Sequence, residues 1–415
     1  MPPFTEIFLL ALAIGTLLQF WLLHCHLQHV ATHRDKVPDQ FAQRITLSGH
    51  HKAADYTRAK GRLAQFEILF SALLLLLWTL GGGLDLVYHF WLKFKFEQIY
   101  TGILLIFTVL FISSLLELPF SLWRTFKIET AYGFNRTSLG QYFKDRLLGI
   151  LLSLLLGVPL IWIVLWLMES AGEGWWLAAW LVWMIFTLAL TWAYPRFIAP
   201  LFNRFTPLEE GEIRQRIQGL LQRCGFTSNG IFVMDGSRRS SHGNAYFTGF
   251  GNNKRIVFFD TLLDTLSADE MEAVLAHELG HFRLRHIRKQ LILNAVLSLG
   301  GLALLGWLSR QLWFYQDLGV NESSNAVALV LFMLVIPVFT LFFAPLSSYL
   351  SRRHEFEADA YAVTHTGGSH LINALVKLYR DNANTLTPDP LYSMFHDSHP
   401  PALVRIAHIN QLIRE

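Results

Sequence analysis

Seven runs of about 20 mostly apolar residues punctuate this chain, and each is long enough to cross a bilayer core as a helix. They lie at 5–23, 66–90, 98–118, 147–168, 175–195, 291–312 and 325–349. In lipid every backbone N–H and C=O must be paired within the protein, so such runs have little choice but to be helical. Composition points the same way. Of 415 residues 16% are charged and 53% hydrophobic, which leaves too few polar side chains to clothe a soluble globule and too much apolar surface for a disordered chain. Two cysteines, Cys25 and Cys224, cannot staple a disulfide scaffold, and a net charge of +3 offers no basic face for nucleic acid. The first run lacks the basic start and cleavage site of a signal peptide. The third run is the weakest, because Glu117 and Pro119 interrupt its end.

The loops alternate in basic charge. Arg34, Lys36, Arg44, Lys52, Arg58, Lys60 and Arg62 lie between the first two runs, but only Lys93 and Lys95 between the second and third. Arg124, Lys127, Arg136, Lys144 and Arg146 follow, then a loop at 169–174 with none. The 196–290 segment is rich in Arg and Lys, 313–324 has none, and Arg352 and Arg353 open the tail. The positive-inside rule then places the N-terminus outside and the C-terminus in the cytoplasm, as seven spans require. A bacterial inner membrane is the preferred setting, or the endoplasmic reticulum if the chain is eukaryotic.

The expected fold class is mainly α: a polytopic membrane protein of seven transmembrane helices plus a small α+β domain. The expected division is 1–195 (spans one to five and their loops), 196–290 (a domain with a short sheet), 291–349 (spans six and seven) and 350–415 (a helical C-terminal part). Within 196–290 we expect a helix over 208–223, strands at 230–235, 244–249 and 255–259, and a helix from about 268.

That last helix carries the strongest chemical signal, Ala276-His277-Glu278-Leu279-Gly280-His281. Ser267 followed three residues later by Glu270 is a capping box that starts it. His277 and His281, four apart, leave one helix face one turn apart and can grip a single Zn²⁺. Glu278 stands where a general base would take a proton from a water that zinc makes acidic. A third ligand is needed. The register for a third histidine of the metzincin kind holds Leu284 and Ile287, and His286 is off register and reads as interfacial. A distant carboxylate is available in Arg352-Arg353-His354-Glu355-Phe356-Glu357-Ala358-Asp359, where Glu355 and Asp359 share a helix face and Glu357 points away. Glu355 would bind zinc, with Asp359 accepting the free ring N–H of a ligand histidine. Alone, the same segment would read as a surface helix balancing two arginines.

With these residues the sequence resembles the type I CAAX prenyl protease family, integral-membrane zinc metallopeptidases. Further long matches carry the resemblance across the chain: LPFSLWRTFKIETAYGFNRTSLGQYFKD (118–145), PRFIAPLFNRFTPLEEGEI (195–213), GNAYFTG (243–249) and SHPPALVRI (398–406). The resemblance implies seven helices around an internal water-filled chamber and one Zn²⁺ per chain, held by His277, His281 and Glu355, with Glu278 as base. It implies that Asn244, Ala245 and Tyr246 line a substrate groove, that His399 acts beside the metal as a catalytic group, and that Arg405 partners a nearby charge such as Asp359. Read without it, Asn244 could simply begin a strand, His399 could cap the Pro400-Pro401 turn, and Arg405 could be a surface residue. The implied partners are a peptide or protein substrate with a hydrophobic or prenylated C-terminus, and membrane lipid. The implied role is trimming such C-termini or membrane-protein turnover. A channel or transporter with a structural zinc is the alternative. It leaves unexplained a glutamate in the base position and a ligand set with an open corner.

Overall fold

The structure, a computed structural model, describes residues 2–226, 228, 230–248 and 255–415. Gly249, the last residue of GNAYFTG, lies outside the described residues. Seven helices among them are long and apolar enough to cross a membrane: Pro3–Thr32, Leu47–Trp78, Gln98–Glu129, Leu139–Ser170, Gly172–Phe202, His286–Leu308 and Asn325–His365. Side chains such as Leu17, Leu73, Leu155, Ile185 and Leu297 project outward on these helices, as lipid-facing residues must. The chain is a multi-pass membrane protein with a small sheet.

The helices outrun the apolar runs. The second begins at Leu47 and ends at Trp78. The run at 66–90 is therefore two helices, broken where Gly82 takes φ +74°, with Gly83–Leu92 as a separate short helix. Hydropathy sees only the stretch in lipid, whereas a helix continues into water wherever its inner face is packed. Here that face is Ala53, Tyr56 and Leu63, buried with Ile128, Phe134 and Ala383. The third helix runs through Glu117 and Pro119, then widens into a π-turn over Arg124–Glu129. Such wide turns accommodate backbone whose regular bonding is interrupted.

A four-stranded sheet follows the fifth span: β1 (Phe205–Pro207), β2 (Ile231–Met234), β3 (Ala245–Thr248) and β4 (Arg255–Phe259), in the order β1-β2-β4-β3. β2 and β4 are parallel and the outer pairs antiparallel, so β3 is an edge among the described residues. The strand β1 was not anticipated, being three residues long and ending in proline. Ile256, Phe258, Ile217, Leu220, Met271, Leu275 and Leu279 form a core between the sheet, the helix Glu212–Arg223 and the histidine helix Ala268–Arg283. A separate apolar core, including Phe8, Leu105, Trp175, Leu305, Phe314 and Leu331, ties the spans together.

The long 118–145 motif docks this domain. Arg239 makes a fork of hydrogen bonds to the two Asp145 oxygens (2.8 and 2.9 Å), Ser241 N donates to Phe134 O, and Asn135 bridges Ser240. These contacts hold the 236–243 loop, the approach to β3, against spans three and four.

Candidate active site

The histidine helix starts as its sequence dictates. Ser267 Oγ accepts from Glu270 N and Glu270 Oε2 accepts in turn from Ser267 N, while Lys377 Nζ lies 2.6 Å from Glu270. Met271, Leu275 and Leu279 bury one stripe of the helix. His277 and His281 emerge on the stripe that faces the helix Ala344–His365. Contact between the two helices is close at Gly280. A Cβ there would stand 3.0 Å from Ala358 Cα and 3.2 Å from Ala358 O, so only glycine lets the backbones approach this far. The second helix is the continuation of the seventh span, and Glu355 and Asp359 lie on its buried side.

The approach brings three donors together. His277 Nε2 is 3.2 Å from His281 Nε2, and Glu355 oxygens lie 3.5 Å from His277 Nε2 and 3.2 Å from His281 Nε2. Two ligands each about 2.1 Å from a zinc ion at tetrahedral angles stand about 3.4 Å apart. The separations between the two ring nitrogens and the Glu355 carboxylate therefore suit donors that share one zinc ion. Glu355 Oε2 is buried without an aligned hydrogen bond, although His399 Nδ1 lies 2.7 Å away. A buried carboxylate oxygen in that state fits a cation. Burial opposes charge on the His277 ring, yet the Asp359 and Glu355 carboxylates outweigh it and hold its pKa up to about 9. The pocket therefore favours positive charge where the three donors meet.

The ring nitrogens turned away from that point are also engaged. His277 Nδ1 is 2.9 Å from Asp359 Oδ1, and Asp359 receives a fork from Arg405 Nε and Nη2 at 2.9 and 2.5 Å. Burial works against the Arg405 charge, but this pairing more than restores it. A carboxylate on the outer nitrogen keeps a proton on Nδ1, so that Nε2 is the nitrogen that would yield its proton to a bound metal ion. His281 is served otherwise. Its Nδ1 lies 3.0 Å from His286 Nδ1, and His286 Nε2 lies 2.9 Å from Glu357 Oε2. Reading His286 as interfacial is therefore corrected: it is 4% exposed and stacks on His354 at 4.1 Å. Arg285 takes φ +60° at the corner between the histidine helix and the sixth span, which swings His286 back onto His281. Sequence spacing missed this because the pattern assumes one straight helix. Glu357, read as pointing away, reaches His286 from the far side of its helix.

Glu278 follows His277 on the same helix, half-buried, and burial pushes its carboxyl above the usual range. His399 is exposed and lines a cavity of about 350 Å³ together with His281 and Glu355. β3 carries the groove candidates and packs against the histidine helix, Phe226 bridging Phe247 and Phe282. Asn244 is exposed at its start, with Oδ1 accepting from Ala245 N and its carbonyl from Phe259 N. Ala245 turns to the core and Tyr246 to the opposite face, its hydroxyl 3.9 Å from Met234 Sδ.

Comparison with known proteins agrees with this geometry. Residues 26–204 match the profile described as CAAX prenyl protease N-terminal, five membrane helices, and residues 207–413 match peptidase family M48. The CAAX prenyl protease 1 homolog of Arabidopsis thaliana is 39% identical, covering 72% of this chain and 70% of its own. CAAX prenyl protease 1 of Saccharomyces cerevisiae is 32% identical over 90% of this chain and 88% of its own. The crystal structure of S. mikatae Ste24p superposes with a TM-score of 0.92 at 29% identity, over 99% of this chain and 100% of that one. A His-His-Glu donor group on a seven-span scaffold, with these relatives along almost its whole length, means that the chain belongs to peptidase family M48, as a membrane-spanning zinc metallopeptidase that carries the CAAX prenyl protease N-terminal region.

Proposed function

We propose that His277, His281 and Glu355 hold the zinc, that Glu278 is the general base, and that the substrate is a protein with a hydrophobic or prenylated C-terminus presented from the lipid. The observation that carries this reading is the His277–His281–Glu355 donor group, with the two ring nitrogens 3.2 Å apart and the Glu355 Oε2 and Oε1 oxygens 3.5 and 3.2 Å from them. Three protein donors rather than four would leave a bound zinc ion a position for water or substrate, as catalytic sites do. A zinc ion held there would supply Lewis acidity, polarising a carbonyl and lowering the pKa of water toward neutrality.

The chain's own residues do the rest. Glu278 takes the proton of the attacking water and passes it to the departing amine; a carboxyl pushed up by burial is better matched to both tasks. His399 donates to the oxygen on which charge develops. Asp359 with Arg405, and His286 with Glu357, hold the two histidine rings in place. An extended peptide adds to the free edge of β3, taking main-chain hydrogen bonds beside Asn244, Ala245 and Tyr246. The similar proteins named CAAX prenyl protease 1 support the substrate class.

The division 1–195, 196–290, 291–349 and 350–415, with the N-terminus outside and the C-terminus in the cytoplasm, remains our reading of the chain's organisation. The alternation of basic loops supports it.

The test is purified Glu278→Gln protein. Zinc stays at one per chain, while cleavage of a farnesylated CAAX peptide falls by several orders of magnitude; undiminished turnover would end the reading. Glu355→Ala loses zinc, and a full retained equivalent would move the third ligand elsewhere. Reporter fusions at the termini check orientation, and an N-terminal tag in the cytoplasm would overturn it.

A further inference from the structure

A second polar cavity, of about 530 Å³, adjoins the metal site. Ser398 and His399 line both it and the cavity that contains His281 and Glu355, so this dipeptide is their common wall. The second cavity lies where the first and second spans meet the C-terminal segment, and Lys60, Arg124, Tyr379 and Asp397 line it.

Its two cations differ. Arg124 is neutralised by Glu67, with Nη2 at 2.8 and 2.6 Å from the two oxygens. Lys60 is not. Its ammonium lies 3.9 Å over the Tyr56 ring, and among the described residues no carboxylate comes within 4.0 Å of it. Glu129, the nearby acid, accepts from the Tyr56 hydroxyl at 2.6 Å and lies 3.6 Å from His242. A ring face attracts an ammonium by about 0.5–2 kcal/mol and leaves its charge in place. A charge drawn out of bulk water without a counter-ion is costly, so an anion that approached Lys60 would be welcomed as its missing partner. Asp397 does not fill the role either. Burial pushes its carboxyl above the usual range, which reduces the negative charge it would bring to the cavity.

We infer that Lys60 anchors the free C-terminal carboxylate of the substrate, so that the site measures a bond's distance from the chain end. The inference rests on the proteolytic reading above and deepens it. A peptide with its scissile bond at the metal passes the Ser398–His399 wall, and each further residue carries it about 3.3 Å along. A few residues suffice to bring the terminal carboxylate into the second cavity, whose size suits a short peptide. Peptide continuing past the end, or ending in an amide, presents no charge to Lys60.

The experiment compares three farnesylated CAAX peptides of equal length: one with a free C-terminal acid, one with a C-terminal amide, and an amide whose last residue is Asp. The full-length zinc-loaded protein should cleave the acid at least tenfold faster than the amide in kcat/KM, mostly through KM. In Lys60→Met this ratio collapses toward one, in Lys60→Arg it survives, and in Lys60→Glu it inverts, with zinc at one per chain in each as evidence of an intact site. Equal cleavage of acid and amide by the unaltered protein, or a ratio that persists in Lys60→Met, would overturn the anchor. Cleavage of the Asp amide as fast as the free acid would overturn the chain-end reading, since any carboxylate would then serve. No cleavage of any of the three by the unaltered protein would instead sink the substrate class, and the anchor with it.

Discussion

His286 Nδ1 stands 3.0 Å from His281 Nδ1, and its other nitrogen is 2.9 Å from Glu357. One histidine of the donor group is thus steadied by a second histidine, while its neighbour His277 is steadied by Asp359. The pairing joins the histidine helix, the head of the sixth span and the end of the seventh in one polar chain. Arg353 extends it, with Nε 3.1 Å from Glu357.

A ring that has lost its outer partner is free to rotate. His286→Ala should weaken zinc binding about 10- to 100-fold. Competition with a chelator while bound zinc is counted measures this, with circular dichroism showing the helices intact. Zinc affinity equal to that of the unaltered protein would separate His286 from the site.

Arg405 and Asp359 are side chains 8% and 0% exposed. Removing the arginine alone strands a buried carboxylate, so Arg405→Ala should cost about 3–5 kcal/mol. Arg405→Ala with Asp359→Ala should cost less than the single change plus its partner's. Thermal melting of the four zinc-loaded proteins provides the cycle, and simple additivity would show that the two do not act as a pair.

His399 touches Glu355 but is itself largely solvent-accessible, at 67%. Its removal therefore should leave the ion in place and strike the reaction. His399→Ala is expected to retain one zinc per chain and lose roughly 100- to 1,000-fold in kcat, the cost of one donor to a developing oxyanion. Metal analysis beside steady-state kinetics separates the two effects, and loss of zinc would reassign the residue to metal binding.

Glu270 sets a pH dependence of stability. Burial raises its carboxyl, but Lys377 and the Ser267 N–H outweigh that and leave its pKa below the ordinary value. A carboxylate depressed in the folded state lends stability that is complete above its unfolded pKa, about 4.3, and drains away as pH falls through the lower folded value. Melting temperature should fall as pH drops below about 5. In Glu270→Gln that dependence should flatten, with about 1–3 kcal/mol lost at neutral pH. Unchanged pH dependence in the variant would place the acid sensitivity elsewhere.

Much of the protein is written in contiguous stretches. Apolar runs declare the spans, Ser267 and Glu270 start the histidine helix, and the four-residue spacing of His277 and His281 puts both rings on one face. These are local properties, governed by hydrogen bonding within a segment and by the medium around it. Glu355 was legible too, because two acids on one face followed directly after a span. The lengths of the helices were not, since hydropathy ends where lipid ends while packing of Ala53, Tyr56 and Leu63 carries the second helix on.

What the chain alone determined is its membrane-spanning class, its capped histidine helix and the kinds of side chain, two histidines and a carboxylate, that its candidate metal site gathers. Only tertiary structure decided that Gly280 seats against Ala358, that the corner at Arg285 returns His286 to His281, that Glu357 arrives from the far face of another helix, and that Lys60 meets no carboxylate among the described residues. These depend on which surfaces pack together across long separations in sequence, and the energy of packing belongs to pairs of surfaces, which no single segment records.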